Sequence, residues 1–145
     1  SDTMFYTISA AAKKLNISAH TLRYYDKEGL LPFIERNEKG IRIFQEKDFE
    51  IMNMIECLKK TGMTIKNIKS FIDLCITGDS TIEQRLCFMQ QRRQAVLAQI
   101  EQMQKTLHML DYKCWYYETA QAAGTCAVHN HINQEEIKKS FHLDS

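Results

Sequence analysis

The sequence predicts a mainly α-helical chain: a winged helix-turn-helix head with a small β-hairpin wing, followed by a long C-terminal coiled-coil dimerisation helix. Three observations predict it. Two short amphipathic stretches lie about three residues apart near the N-terminus, a Gly-centred pair of extended runs follows, and apolar residues then recur in steps of three and four over more than four heptads.

Ile8, Ala11, Ala12 and Leu15 recur at helical spacing and define the first helix. Asn16-Ile17 makes a tight turn, and Ser18 is a favourable N-cap for a second helix from about Ala19 to Glu28. Gly29 ends it and Pro32 keeps it from resuming. The run "FIERNEKGIRIF", Phe33 to Phe44, reads as two short strands around Asn37-Glu38-Lys39-Gly40. A third helix spans about Glu46 to Lys60, with Phe49, Met52, Ile55 and Leu58 facing inward, and Gly62 stops it. Thr64 caps a fourth helix carrying Ile65, Ile68, Ile72 and Leu74, which "TGDS" interrupts.

Ser80-Thr81-Ile82-Glu83 reads as a capping box for the last helix. Beyond it Leu86, Met89, Val96, Ile100, Met103, Leu107, Leu110 and Tyr117 form a heptad seam, with Cys114 in register and Arg93 the one interruption. A helix of roughly 50–60 Å, at 1.5 Å per residue, cannot bury that stripe against four short helices. A second copy of the chain is the simplest partner. The expected divisions are residues 1–76 as the head, 80–123 as the dimerisation helix and 124–145 as a short, loosely held tail with one helical turn at Glu135 to Ser140.

Composition narrows the function classes. The formal net charge is only +1; residues 1–75 hold 12 Lys/Arg against 10 Asp/Glu, and the remainder 7 against 8. An anion-binding surface must therefore come from placement of charge. No apolar run is long enough to span a membrane and no leader with a cleavage site opens the chain, so a cytoplasmic location is expected. The five cysteines (57, 75, 87, 114 and 126) lack the spacing of a disulfide scaffold and read as reduced thiols. No Gly-rich phosphate loop, nucleophile elbow or paired-carboxylate cleft points to an enzyme, and no cofactor is expected.

The helix pair, wing and coiled coil point to double-stranded DNA. The second helix would enter the major groove, with Ser18 at its cap and His20, Thr21 and Arg23 facing base edges or phosphates. Tyr24 and Tyr25 suit the groove rim, although neighbouring positions cannot both face one core. Arg42 and Lys39 on the wing, and Arg36 at its base, would reach flanking phosphates. The competing reading is a coiled-coil adaptor whose head binds protein. It predicts no salt-dependent affinity for DNA.

From "YTISAAAKKLNISAHTLRYYDKEGLLP" through "GIRIF", "CLKKTGMTIKNIKSFI" and the long helix, the sequence resembles the MerR-type bacterial transcription regulators. Leu22-Arg23-Tyr24-Tyr25-Asp26 followed by Gly29-Leu30-Leu31-Pro32 is the most specific part of the match. The resemblance implies a homodimer with an antiparallel coiled coil, bound to a palindromic operator in a promoter with an overlong spacer. It further implies that effector binding makes the dimer bend and untwist the DNA for RNA polymerase. Where the family's wing reads Gly-Tyr-Arg-x-Tyr, this chain has Gly40-Ile41-Arg42-Ile43-Phe44, without either phenol.

The effector is less legible. Only about twenty residues follow the coiled coil, so a dedicated drug pocket is not expected. Cys126, His129 and His131 offer three donors in six residues, a weak metal motif. Cys57, in "IECLKKTGMT", is the stronger sensor candidate, because the sequence resembles a branch that responds to aldehydes or oxidants with a cysteine at that place. Lys59 and Lys60 nearby favour its thiolate. The plain alternative is an inert small hydrophobe beside Ile55 and Leu58, and Cys75 and Cys87 read as core.

Overall fold

The computed structural model describes residues 4–143. In chain order it contains β1 (Phe5–Tyr6), α1 (Ile8–Leu15), α2 (Ala19–Lys27), β2 (Glu35–Arg36), β3 (Arg42–Gln45), α3 (Glu46–Lys60), α4 (Ile65–Thr77), α5 (Ile82–Ala123) and α6 (Gln134–Ser140). Single 3-10 segments occupy Asp79–Thr81 and Cys126–His131. The chain divides into two compact units, one through Arg92 and one from Arg93 onward.

Capping explains where the head's helices begin. Thr7, Ser18 and Thr64, each with extended backbone, accept the amide of Ala10, Thr21 and Asn67 at α1, α2 and α4. Gln45 and Asp48 cap α3 reciprocally. Asn16 closes α1 in the left-handed region, so α2 starts three residues later and the two helices pack as a pair. Gly29 follows α2 at φ +80°, a left-handed conformation that L side chains rarely adopt and glycine takes freely.

The wing is an antiparallel pair with Glu35 opposite Ile43 and Arg36 opposite Arg42. Asn37 Oδ1 accepts the amides of Lys39 and Ile41, and Gly40 turns the chain at φ +78°. β1 adds a third strand on the other edge of β3, Tyr6 opposite Phe44. Two residues are too short to show a period, which hid that strand in the sequence.

One core holds the head together: Leu22, Tyr25, Leu30, Leu31, Ile34, Phe44, Phe49, Met52, Ile55, Leu58, Ile68 and Ile72 are buried with Ala11 and Ala12. All four inward positions expected for α3 are buried. Phe88 and Met89 pack on this core, Phe88 with its ring 4.9 Å from that of Phe71. The first turns of α5 thus belong to the head, whereas the sequence places a boundary before Ser80. The capping box expected there is replaced by the 3-10 turn, with the Thr81 hydroxyl donating to the Leu74 and Gly78 carbonyls. Cys87 is exposed rather than core, because it stands one residue off the positions that face the head; Cys75 is half-buried against it.

In the second unit the segment expected to hang loosely is docked. His129 is buried, stacked on the Tyr116 ring at 3.7 Å, with its Nε2 2.7 Å from the Tyr116 carbonyl oxygen. Tyr112 donates to Gln134 Oε1, and Phe141 packs against Tyr112 and Trp115. The sequence concealed this because the tail's anchors are one imidazole, one amide and one ring, scattered among polar residues. Its helix, Gln134–Ser140, lies one residue from the expected turn.

Candidate nucleic-acid interface

α2 turns Leu22 and Tyr25 into the core, which leaves His20, Arg23, Tyr24 and Lys27 exposed on the opposite side. Spacings of three, four and seven make these one stripe along the helix. Thr21 is half-buried beside them, its hydroxyl 2.8 Å from that of Ser18. Ser18 is exposed and spends its Oγ on the cap, accepting the Thr21 amide at 3.0 Å. Lys27 was not among the expected contacts, though its spacing from His20 would have found it.

The two tyrosines part company. Tyr24 is 45 % exposed, whereas Tyr25 is 2 % exposed and donates to Glu56 Oε1 at 2.5 Å. Burial, and next the Glu56 carboxylate, push the Tyr25 phenol well above its ordinary pKa of 10.0. Lys59 Nζ stands 5.0 Å from the centre of the same ring. The rim position expected for both tyrosines is thus open to Tyr24 alone, and Tyr25 joins α2 to α3.

The wing shows a similar division. Arg36 and Lys39 are exposed, and Arg36 donates to the Gly40 carbonyl at 2.7 Å, which braces the turn. Arg42, expected to reach phosphate, points inward instead. Its guanidinium pairs with Asp26 at 2.7 Å and donates to the Ile34 carbonyl at 2.5 Å. Arg36 approaches the same carboxylate at 3.8 Å. Asp26, the last residue of the Leu-Arg-Tyr-Tyr-Asp run, therefore fixes the wing to α2 and sets where Arg36 and Lys39 stand relative to Arg23.

On α5, Leu86, Ile100, Met103, Leu107, Leu110 and Tyr117 are exposed, and Ile100, Met103, Leu107 and Leu110 line one apolar groove. Met89 and Val96, the other expected seam positions, are half-buried, Met89 against the head. Cys57 is exposed on α3, between the buried Ile55 and Leu58. Of the tail donors, Cys126 and His131 are exposed while His129 is held by Tyr116. Among the described residues no group of three His, Cys, Asp or Glu could hold a metal ion, and no helix is long and apolar enough to cross a membrane.

Residues 6–74 match the MerR HTH family of regulatory proteins. An HTH-type transcriptional regulator of Haemophilus influenzae is 45% identical over 88% of this chain and 94% of its own length. The crystal structure of HiNmlR, a MerR family regulator lacking the sensor domain, bound to promoter DNA, is 45% identical with a TM-score of 0.79, over 86% of this chain and 99% of that one. A MerR family regulator from Bacillus thuringiensis is 48% identical with a TM-score of 0.71, over 77% and 97%. With its Leu22–Asp26 run on the second helix of a winged pair and this likeness along nearly its whole length, the chain belongs to the MerR family of HTH transcription regulators, which are not enzymes.

Proposed function

We propose that the chain acts as a homodimer that binds promoter DNA in sequence-specific fashion, deforms it, and changes transcription when a small electrophile such as an aldehyde reacts at Cys57. The observation that carries the DNA reading is the α2 stripe of His20, Arg23, Tyr24 and Lys27, bordered by Thr21 and by Arg36 and Lys39 on the wing. Cations and hydroxyls stand at the spacing a major groove and its phosphate walls require. HiNmlR, a solved relative of similar fold, is bound to promoter DNA. The exposed α5 groove supports the dimer, since each large apolar side chain it covers is worth about 1.5–3 kcal/mol.

Cys57 is favoured as trigger by its neighbours. Glu56 and Lys59 hold Tyr25 of α2 from either side of it in sequence, by a hydrogen bond and by a cation–π contact. The reaction is addition: the thiolate sulfur bonds to the carbonyl carbon, and the former carbonyl oxygen takes a proton from water, leaving an S-hydroxyalkyl group. A polar substituent on the residue that lies between Glu56 and Lys59 in sequence would favour a different setting of α2 against α3. That would alter how far the DNA is bent and untwisted and how RNA polymerase meets the promoter.

In-vitro transcription from the protein's own upstream region, titrated with formaldehyde over wild type and Cys57→Ser, tests this. A change in transcript of about tenfold, within the usual range of coupling between sites, is expected for wild type and none for Cys57→Ser. Equal responses of the two proteins would remove Cys57 from the mechanism.

A further inference from the structure

We infer that Arg92 is the positioning residue through which a change at Cys57 reaches the long helix; the inference rests on Cys57 being the reactive thiol. α5 is fastened to the rest of the head by two arginines seven residues apart, hence on one face of the helix. Arg85 holds the turn after α4, donating from Nε to Thr81 Oγ1 at 3.0 Å and from Nη2 to the Gly78 carbonyl at 3.1 Å. Arg92 holds the turn before α4, donating from Nε to Thr61 Oγ1 at 2.6 Å and from Nη2 to the Thr61 carbonyl at 2.5 Å. Phe88, between them, packs on Phe71 of α4.

The two anchors differ in what lies behind them. Thr61 is the C-cap of α3, the helix that carries Cys57, and its amide and hydroxyl both donate to the Leu58 carbonyl, at 3.1 and 2.6 Å. The Met63 amide converges on the same oxygen at 3.4 Å. The Leu58 carbonyl, on the residue next to Cys57, thus accepts three of the turn's hydrogen bonds, while the Gly62 amide donates to the Lys59 carbonyl at 2.9 Å. The Arg92 fork grips that turn on both its hydroxyl and its carbonyl. A guanidinium at a helix C-terminus is also favoured by the helix dipole. A charged, two-point hydrogen-bonded contact transmits a rotation or shift of the turn better than an apolar contact, which can slide. Arg85 grips a turn whose hydroxyl donates to the Leu74 and Gly78 carbonyls, at the end of α4 and not of α3.

Cys57 thus stands between two handles. One is Tyr25, held by Glu56 and Lys59, which leads to α2; the other is the Leu58–Thr61 turn, held by Arg92, which leads to α5. An event at the thiol is communicated to the DNA-facing helix and to the dimerising helix by separate side chains.

Amide hydrogen exchange across Met89–Val96 tests this directly, before and after alkylation with N-ethylmaleimide. The same treatment of Cys57→Ser subtracts labelling at the other exposed thiols. Wild type is expected to change exchange in this stretch by about fivefold, the low end of ordinary coupling. Arg92→Gln should lose that change, Arg85→Gln should keep it, and Arg92→Lys, which keeps the charge without the fork, should fall between them. An undiminished change in Arg92→Gln, equal loss in Arg92→Gln and Arg85→Gln, or no change in wild type would each overturn the inference. Should Arg92→Gln fail to fold, an Arg92→Lys protein that responds fully overturns it as well. If alkylation gives an Arg92-dependent change while formaldehyde leaves transcription untouched, the trigger assignment fails and the role of Arg92 stands.

Discussion

α2 and α5 are both amphipathic helices, yet one is complete within the chain and the other is not. In α2, Leu22 and Tyr25 are wholly covered by the head, and what remains outside is an imidazole, a guanidinium, a phenol and an ammonium. In α5, beyond the turns that pack on the head, Ile100, Met103, Leu107 and Leu110 remain outside, 48–69 % exposed. A helix that exposes cations has an anion as its natural partner, and a helix that exposes a leucine-rich stripe has another such helix. The contrast assigns two partners to one chain of net charge +1, which its overall composition does not.

The largest effect should follow from spoiling the unfinished helix. Ile100→Glu together with Leu107→Glu places four like charges in a dimer interface. Sedimentation should then show a 17.0 kDa species in place of one of twice that mass, and operator affinity should drop by at least about 100-fold as paired half-sites are lost. An unchanged mass would mean that the stripe is covered by something other than a second copy.

Next comes the exposed face of α2. Arg23→Ala should weaken operator binding by about 1–3 kcal/mol. If the contact is to phosphate the salt slope falls by about one, and if it is to a base the loss is confined to one sequence position. Titration of operator variants at several salt concentrations separates the two. Arg42→Ala should behave differently, since Arg42 serves the wing from within: about 1–2 kcal/mol of stability lost in urea, weaker DNA binding, and an unaltered salt slope.

Tyr25→Phe is the smallest of these, about 1 kcal/mol, and its pH dependence is distinctive. A phenol whose folded pKa lies above 10.0 contributes stability that is complete below that value and is lost as the pH rises past it, because the unfolded chain ionises first. Wild type should therefore lose stability above about pH 10 more steeply than Tyr25→Phe, measured as urea midpoints across the alkaline range.

Apart from the two-residue β1, the elements of the head were legible in the sequence because each carries its own signal: Ser18 and Thr64 as caps, Gly29 and Gly40 at positive φ, and a 3.6-residue period in α3. The long helix was legible for the same reason. What the sequence hid was direction. It marks Tyr24-Tyr25 and Arg36…Arg42 as pairs of like residues, but only the register of α2 against the core, and the position of Asp26, decide that Tyr25 and Arg42 turn inward while their counterparts stay out. The docked tail was hidden because a stacked histidine such as His129 looks like any other until Tyr116 is beside it.

The central claim, that α2 meets DNA while α5 meets a second copy, is tested most directly by titrating a fluorescent duplex from the protein's own upstream region at several salt concentrations. Two chains per duplex are predicted, with log K falling linearly against log salt at a slope of several, as phosphate contacts require. Binding that ignores salt, or one chain per duplex at saturation, would contradict the account.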